Sequence, residues 1–196
     1  MSPHVLHIFS TFKVGGPQVR FAALAEGLGR DFTHRVIALG GMPDRSGALP
    51  SRLTRYKKEI GARAPDLLIT YNWGAIEWAM AGRLAGVPHI HIEDGFGPEE
   101  AQRQLPRRVW TRRLTLRASQ IVVPSLTLQA LARDVWRLPQ QRLHCIPNGL
   151  APLDRYSTRI EELGLNLPPG LPRIAWAGAV RREKNLIPLL RAFAPL

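Results

Sequence analysis

Short apolar, branched runs recur along this chain, and each is followed by turn residues and then by a stretch with helical periodicity. HVLHIF (residues 4–9) ends at Ser10 and the pair Gly15 and Gly16. HRVIAL (34–39) ends at Gly40 and Gly41. DLLIT (66–70), PHIHI (88–92), QIVVP (120–124) and LHCIP (143–147) follow in the same manner. Runs of this length bounded by turn formers suit strands buried on both faces. The segments between them are helical: Phe21, Leu24, Ala25 and Leu28 form one apolar stripe after Pro17, whose missing N–H costs nothing in a first turn. Further helices are expected up to Ala62, over 75–85, over 106–118 and over 126–135. Strand alternating with helix predicts an α/β fold, a Rossmann-like doubly wound parallel sheet with both faces covered.

Length and composition agree with that class. A 196-residue chain with 45% hydrophobic and 21% charged residues has ordinary globular composition, and at this size folding buries roughly 70% of the unfolded surface. No apolar run approaches the ~20 residues that span a bilayer, and no basic segment followed by an apolar block opens the chain. The expectation is a soluble, non-secreted, cytoplasmic protein. The single cysteine, Cys145, has no partner for a disulfide or a metal cluster and reads as a buried apolar filler. The net charge of +12 makes nucleic acid, anionic lipid and phosphorylated substrates all candidate partners, and charge alone does not choose among them.

After Asn148 and Gly149 the composition changes. Pro152, Pro168, Pro169 and Pro172 mark residues 151–172 as a linker, after which RIAWA (173–177) reads as a new strand, the following turn runs to Lys184, and Asn185 caps another helix. Three regions are therefore expected: a Rossmann-like domain over 1–150, a linker over 151–172, and over 173–196 the first strand and helix of a second, incomplete Rossmann-like domain.

In an open parallel sheet, ligands collect beyond the carboxyl ends of the strands, so Gly15, Gly16 and the EDGFG loop at 93–97 are the places to look. A glycine pair ahead of a helix lets the backbone approach a phosphate and aims free N–H groups at it. The dinucleotide fingerprint G-x-G-x-x-G and the phosphate loop G-x-x-x-x-G-K-[ST] are both absent. Instead the glycine pair, VVPS ending at Ser125, IPNG ending at Gly149, and G-x-x-x-x-E-K-N from Gly178 to Asn185 together resemble family four of the glycosyltransferases. That resemblance covers the whole chain. It implies the GT-B architecture, two Rossmann-like domains with the acceptor held mainly by the first and a nucleotide-sugar donor mainly by the second. It also implies a retaining transfer to a saccharide or lipid-linked acceptor with no metal and no cofactor beyond the nucleotide sugar. By the same likeness a chain with so little of the second domain is expected to be inactive alone.

The likeness carries over to particular residues. The family commonly has G-R-L-x-x-E-K-G in the second domain, where Arg and Lys hold the donor diphosphate. Lys184 matches, Ala179 stands at the arginine position, and Arg181 on the same turn is the candidate substitute. Many relatives have T-E-H-G after strand four; here it is I-E-D-G, with Asp94 in place of the histidine that faces the donor sugar. Glu93 and Asp94 are thus the candidate catalytic pair, since a carboxylate can accept a sugar hydroxyl and stabilise developing positive charge. Asn148 and Gly149 are the candidate interdomain hinge. His89 and His91 lie two apart on a strand, share a face, and suit a role within the sheet.

One segment remains outside this reading. Arg103, Arg107, Arg108, Arg112, Arg113 and Arg117 fall almost all round the helix axis, with Leu105, Val109 and Leu116 in a narrow stripe, which makes a poor membrane amphipath. Peripheral contact with an anionic membrane is nevertheless an expectation where the acceptor is lipid-linked. The alternative to an enzyme is a basic α/β module that binds nucleic acid or another polyanion. No zinc-ligand spacing, no RNP pattern and no stacking aromatic other than Trp110 accompany the arginines, so nucleic acid is not the expected partner.

Overall fold

The computed structural model describes residues 2–40, 46–100, 103–149, 158, 160–165, 174–178, 180 and 184–193. They divide into two units, Met1–Leu150 and Ala151–Leu196. The first unit contains β1 (His4–Phe9), α1 (Gly16–Leu28), β2 (Thr33–Ala38), α2 (Leu49–Arg63), β3 (Leu67–Tyr71) and α3 (Ile76–Leu84). It continues through β4 (His89–Ile92), α4 (Pro106–Leu116), β5 (Gln120–Val123), α5 (Leu126–Asp134) and β6 (Leu143–Cys145). All six strands are parallel and lie in the order β2-β1-β3-β4-β5-β6.

Local chemistry sets the helix boundaries. Proline stands in the first turn of α1, α2 and α4, where its lost donor was one of the unpaired N–H groups anyway. α5 is capped by Ser125, whose Oγ accepts the Leu128 N–H at 3.2 Å. Gly29, at φ 56°, ends α1 in the left-handed region where a side chain is disfavoured.

The strand order decides which face each helix covers. Right-handed crossovers from β1 to β2 and then back past β1 to β3 place α1 on one face and α2 to α5 on the other. On the α2–α5 face, Leu6, Ile8 and Leu68 pack with Tyr56, Ile60 and Trp78, and Ile121, Val123 and Leu143 pack with Ile76, Leu116, Ala132 and Trp136. The opposite face carries Val5, Phe9, Ile69 and Tyr71 against Phe21 of α1. There the expectation of two equally covered faces is not met: among the described residues α1 is the one helix on that face, and Ile90, Ile92 and Val122 stay part-exposed beyond it. Cys145 is part-exposed as well, not buried, because β6 is the last strand of the sheet.

α3 and β3 pack close enough to require a glycine. A Cβ at Gly82 would stand 2.3 Å from Leu68 Cδ2, and Leu68 is fully buried with no room to retreat. Gly82→Ala is therefore expected to destabilise by roughly 1–3 kcal/mol, because overpacking outweighs the ~1 kcal/mol that alanine gains over glycine in a helix. Urea denaturation is the measurement, and a variant as stable as the parent would show that the two elements can separate.

The strand-four histidines do sit within the sheet, on the α2–α5 face. Thr70 Oγ1 meets His89 Nε2 at 2.9 Å and His91 Nδ1 at 2.8 Å, and His89 Nδ1 meets Ser119 Oγ at 2.7 Å. Burial first, then the neighbouring His91, pulls His89 down to about 3. On the other face His7 bonds Tyr71 Oη and His34 Nδ1, both at 3.0 Å, and burial followed by His34 pulls His7 down to about 4.

In the second unit a 3-10 turn spans Ile160–Leu163 and α6 spans Leu186–Phe193. The Trp176 indole N–H donates to the Lys184 carbonyl at 3.3 Å. Residues 174–177 are in no strand, in contrast to the expected RIAWA strand; a strand needs a neighbour for its N–H and C=O groups, and no described ladder supplies one.

Candidate active site

The reversal of strand order between β1 and β3 makes a crevice at the carboxyl end of the sheet, the usual ligand position of such folds. Five chain segments meet there: the turn after β1, Asn72 after β3, the loop after β4, Pro124 after β5, and residues 146–148 after β6. Asn72 is left-handed at φ 57°. Its backbone N–H donates to the Ile92 carbonyl at 2.8 Å, and its side-chain Oδ1 accepts the Asp94 N–H at 2.8 Å. The β4 loop is thereby fixed to the end of β3.

Past Ile92 the alternation of the strand continues for two more residues, and it separates the acidic pair. Glu93 follows His91 to the helix-covered side and is 0% exposed. Its Oε2 accepts from Arg112 Nε at 3.1 Å and lies 3.5 Å from His91 Nε2. Asp94 points the other way, and both its oxygens accept from Arg20 Nη2, at 2.7 and 2.9 Å. Arg20 also donates through Nη1 to Asn148 Oδ1. Arg20 and Asp94 remain partly open to solvent, at 27% and 18% of their side-chain surfaces. They border a hollow of about 260 Å³ whose walls include Phe21, Ile92, Ile146 and Asn148. Of the expected catalytic pair, Asp94 alone stands at the hollow. Glu93 is enclosed, and its place is that of a buried anchor.

Behind the loop lies a second set of charges. Arg112 of α4 is fully buried, bonds Glu93, and reaches Glu100 at 3.3 Å. Its guanidinium is 4.9 Å from the Trp73 ring, 5.3 Å from Phe96 and 4.8 Å from Trp136. Arg108 donates to Glu100 at 2.9 Å and pairs with Glu99 at 2.7 Å. For the Glu100 carboxyl, burial alone would raise the pKa; the hydrogen bonds from Arg108 and Arg112 win and hold it below the usual carboxylate range. The two ends of the 93–100 loop are thus clamped by arginines of one helix.

The remaining candidates fall as follows. Gly15 is the extended N-cap of α1 and Gly16 its first residue, with open space where a Cβ of Gly16 would stand. Asn148 is tied to Arg20, and Gly149 is exposed. Lys184 is exposed ahead of α6 in the second unit, whereas Arg181 lies outside the described residues. Among the described residues no group of His, Cys, Asp or Glu could hold a metal ion. Sequence reasoning passed over Arg20, Asn72 and Arg112. The signal for Arg112 was available: it falls between Val109 and Leu116 at helical spacing, inside the apolar stripe.

A half-open parallel sheet with its polar crevice at the topological switch point defines the Rossmann-like class, and here specifically one half of a GT-B fold. The chain belongs to Glycosyltransferase Family 4, whose sequence profile matches residues 3–152. Among solved structures it is similar to a glycosyltransferase from Rickettsia africae ESF-5, with 14% identity, coverage of 83% of this chain and 48% of that one, and a TM-score of 0.59. It is also similar to UDP-GlcNAc 2-epimerase from Neisseria meningitidis bound to UDP-GlcNAc, with 16% identity, coverage of 74% and 46%, and a TM-score of 0.51. The UDP-GlcNAc 2-epimerase from Methanocaldococcus jannaschii gives 13% identity, coverage of 76% and 46%, and a TM-score of 0.51. These identities show a shared fold. The chain spans about half the length of the structures it resembles. No curated protein sequence matches it significantly.

Proposed function

We propose that this chain forms the acceptor-side half of a retaining GT-B glycosyltransferase that moves a sugar from a nucleotide-sugar donor to a saccharide or lipid-linked acceptor. The observation that carries the reading is the placement of Asp94, held by Arg20 and Asn72, at the mouth of an apolar hollow at the carboxyl end of the sheet. A carboxylate fixed in this way can accept a hydrogen bond from a sugar hydroxyl, and it opposes positive charge that grows at an anomeric carbon. Arg20 keeps Asp94 ionised and oriented while the apolar wall receives the face of a sugar ring. The turn at Gly15 and Gly16 presents backbone N–H groups at the start of α1, and Lys184 with Arg181 is assigned to the donor diphosphate. The Neisseria meningitidis epimerase was solved with UDP-GlcNAc, which makes UDP-sugars the donors to try first.

The test titrates the 196-residue chain with panels of saccharides and nucleotide sugars, following tryptophan fluorescence, and assays sugar transfer alongside. Saccharide binding without transfer is expected of the chain by itself, since orientation of donor against acceptor needs a donor-binding domain as well. Asp94→Asn keeps the shape and removes the charge; it is expected to weaken saccharide binding roughly tenfold, ~1.4 kcal/mol, with the melting temperature little changed. Robust transfer by the chain alone would sink the two-domain part of the proposal. Equal binding by Asp94→Asn would remove Asp94 from the site.

A further inference from the structure

The structure separates the arginines of α4 into two populations. Arg108 and Arg112 turn inward to carboxylates, as described above. Arg107, Trp110, Leu114 and Arg117 recur at spacings of three and four and so share the opposite, outward side of the helix, joined by Arg113. Trp110 is 57% exposed and Leu114 64%, unusual values for residues of their size. Around them lies a shallow depression lined by Arg83, Trp110, Arg113, Leu114, Arg117 and Arg137. The Arg113 guanidinium lies 4.9 Å from the Trp110 ring centroid, and Arg83 donates to the Leu114 carbonyl at 2.9 Å. Among the described residues none of these four arginines is in an ion pair. Asp134 feels Arg137 but is held by both donor nitrogens of Arg133. Elsewhere in the same unit Arg20, Arg52, Arg108 and Arg112 each have a carboxylate partner.

We infer that the outward face of α4, with Arg83 and Arg137 beside it, is a docking surface for an anionic phospholipid membrane. The inference does not rest on the glycosyltransferase reading. Its argument is the pairing of unneutralised arginines with protruding apolar side chains at one place. An indole and an aliphatic side chain ringed by guanidinium groups match the boundary between acyl chains and headgroups, where tryptophan and arginine are both favoured. A nucleic-acid strand would use the arginines as well, but it needs successive flat rings for its bases and gains little from Leu114 or from Leu84, which is 57% exposed close by on α3. The depression is bordered by the last turn of α3, the end of α4 and the residue after Trp136, at the amino ends of β4, β5 and β6, whereas the Asp94 hollow is at the carboxyl end of the sheet. A membrane held at the depression therefore leaves the mouth of that hollow uncovered.

The experiment is co-sedimentation of the 196-residue chain with vesicles of phosphatidylcholine alone and of phosphatidylcholine mixed with phosphatidylglycerol, at low and high salt. Binding to the mixed vesicles alone, weakened by salt, is expected. Arg117→Glu with Arg137→Glu, both fully on the surface, is expected to reduce the partition coefficient roughly tenfold or more, since each charge near such a surface changes affinity about fivefold. Trp110→Ser with Leu114→Ser leaves the charge untouched and is expected to cost a similar factor, which a purely ionic attraction would not produce. Equal affinity for neutral vesicles, or vesicle binding unchanged in either double variant, would overturn the inference. So would the absence of vesicle binding together with tight binding to a single-stranded or duplex oligonucleotide that the arginine reversals abolish; the surface would then belong to nucleic acid.

Discussion

Arg112→Ala is expected to lower the stability of the first unit by about 3–5 kcal/mol, the usual consequence of removing one partner from a buried ion-pair network. The size follows from what remains. Glu93 and the Glu100 side chain are both fully enclosed, and neither can recover the water it gave up on folding. Glu93 Oε1 already lacks a partner, so Oε2 depends on Arg112 and His91. The void left by the guanidinium would also strip Trp73, Phe96 and Trp136 of a common contact. Arg112→Lys keeps the charge but cannot reach both carboxylates with the geometry of a planar fork, and it is expected to recover only part of the loss. Equilibrium unfolding in urea measures both variants. A loss below ~1 kcal/mol for alanine, the range of exposed pairs, would mean that water replaces the guanidinium without penalty.

Acidification provides the second large effect, and its sign follows from the buried imidazoles. His7 and His89 titrate near 4 and 3 in the folded protein, below their ordinary value of 6.5. The unfolded chain therefore binds protons first as the pH falls. Stability from these groups is complete above about 6.5 and declines as the pH drops toward their folded values. Each histidine contributes a slope approaching ~1.4 kcal/mol per pH unit, so two of them lower stability by roughly 3 kcal/mol between pH 6.5 and 5. Carboxylates act in a separate window. The depressed values of Glu99, Glu100 and Asp134 favour the folded state above their unfolded pKa of ~4 and release that stability only at more acid pH. A double variant, His7→Phe with His89→Asn, is expected to flatten the curve between pH 6.5 and 5. If that variant and the parent lose stability in parallel, other groups control the acid response.

The strands and first-domain helices were legible because local patterns specified them. Each branched apolar run became a strand, and proline or Ser125 marked where helices begin. The division of labour at the site was not legible in the same way. Whether Glu93 or Asp94 faces the crevice depends on how far the strand alternation persists past the last ladder bond, and in a loop containing Gly95 and Gly97 no periodicity reveals that. Arg20 and Asn72 are sixteen or more residues upstream of the loop they hold, and their contacts arise from strand order. Reading Arg112 as one of six similar arginines hid the one that lies inside the apolar stripe. The RIAWA run shows the opposite failure, a strand-like pattern without a described neighbour to pair with.

The two ends of the sheet have a consequence for association between copies of the chain. β2 and β6 each leave one row of backbone donors and acceptors without a strand beside it. Such rows template the addition of foreign strands unless they are short or charged. β6 extends over three residues and is followed closely by Pro147, which offers no N–H. β2 is twice as long but carries the exposed Arg35 near its middle, flanked by His34. Both borders are therefore poor seeds for growth of the sheet into a neighbouring molecule, and self-association by strand addition is disfavoured at either edge.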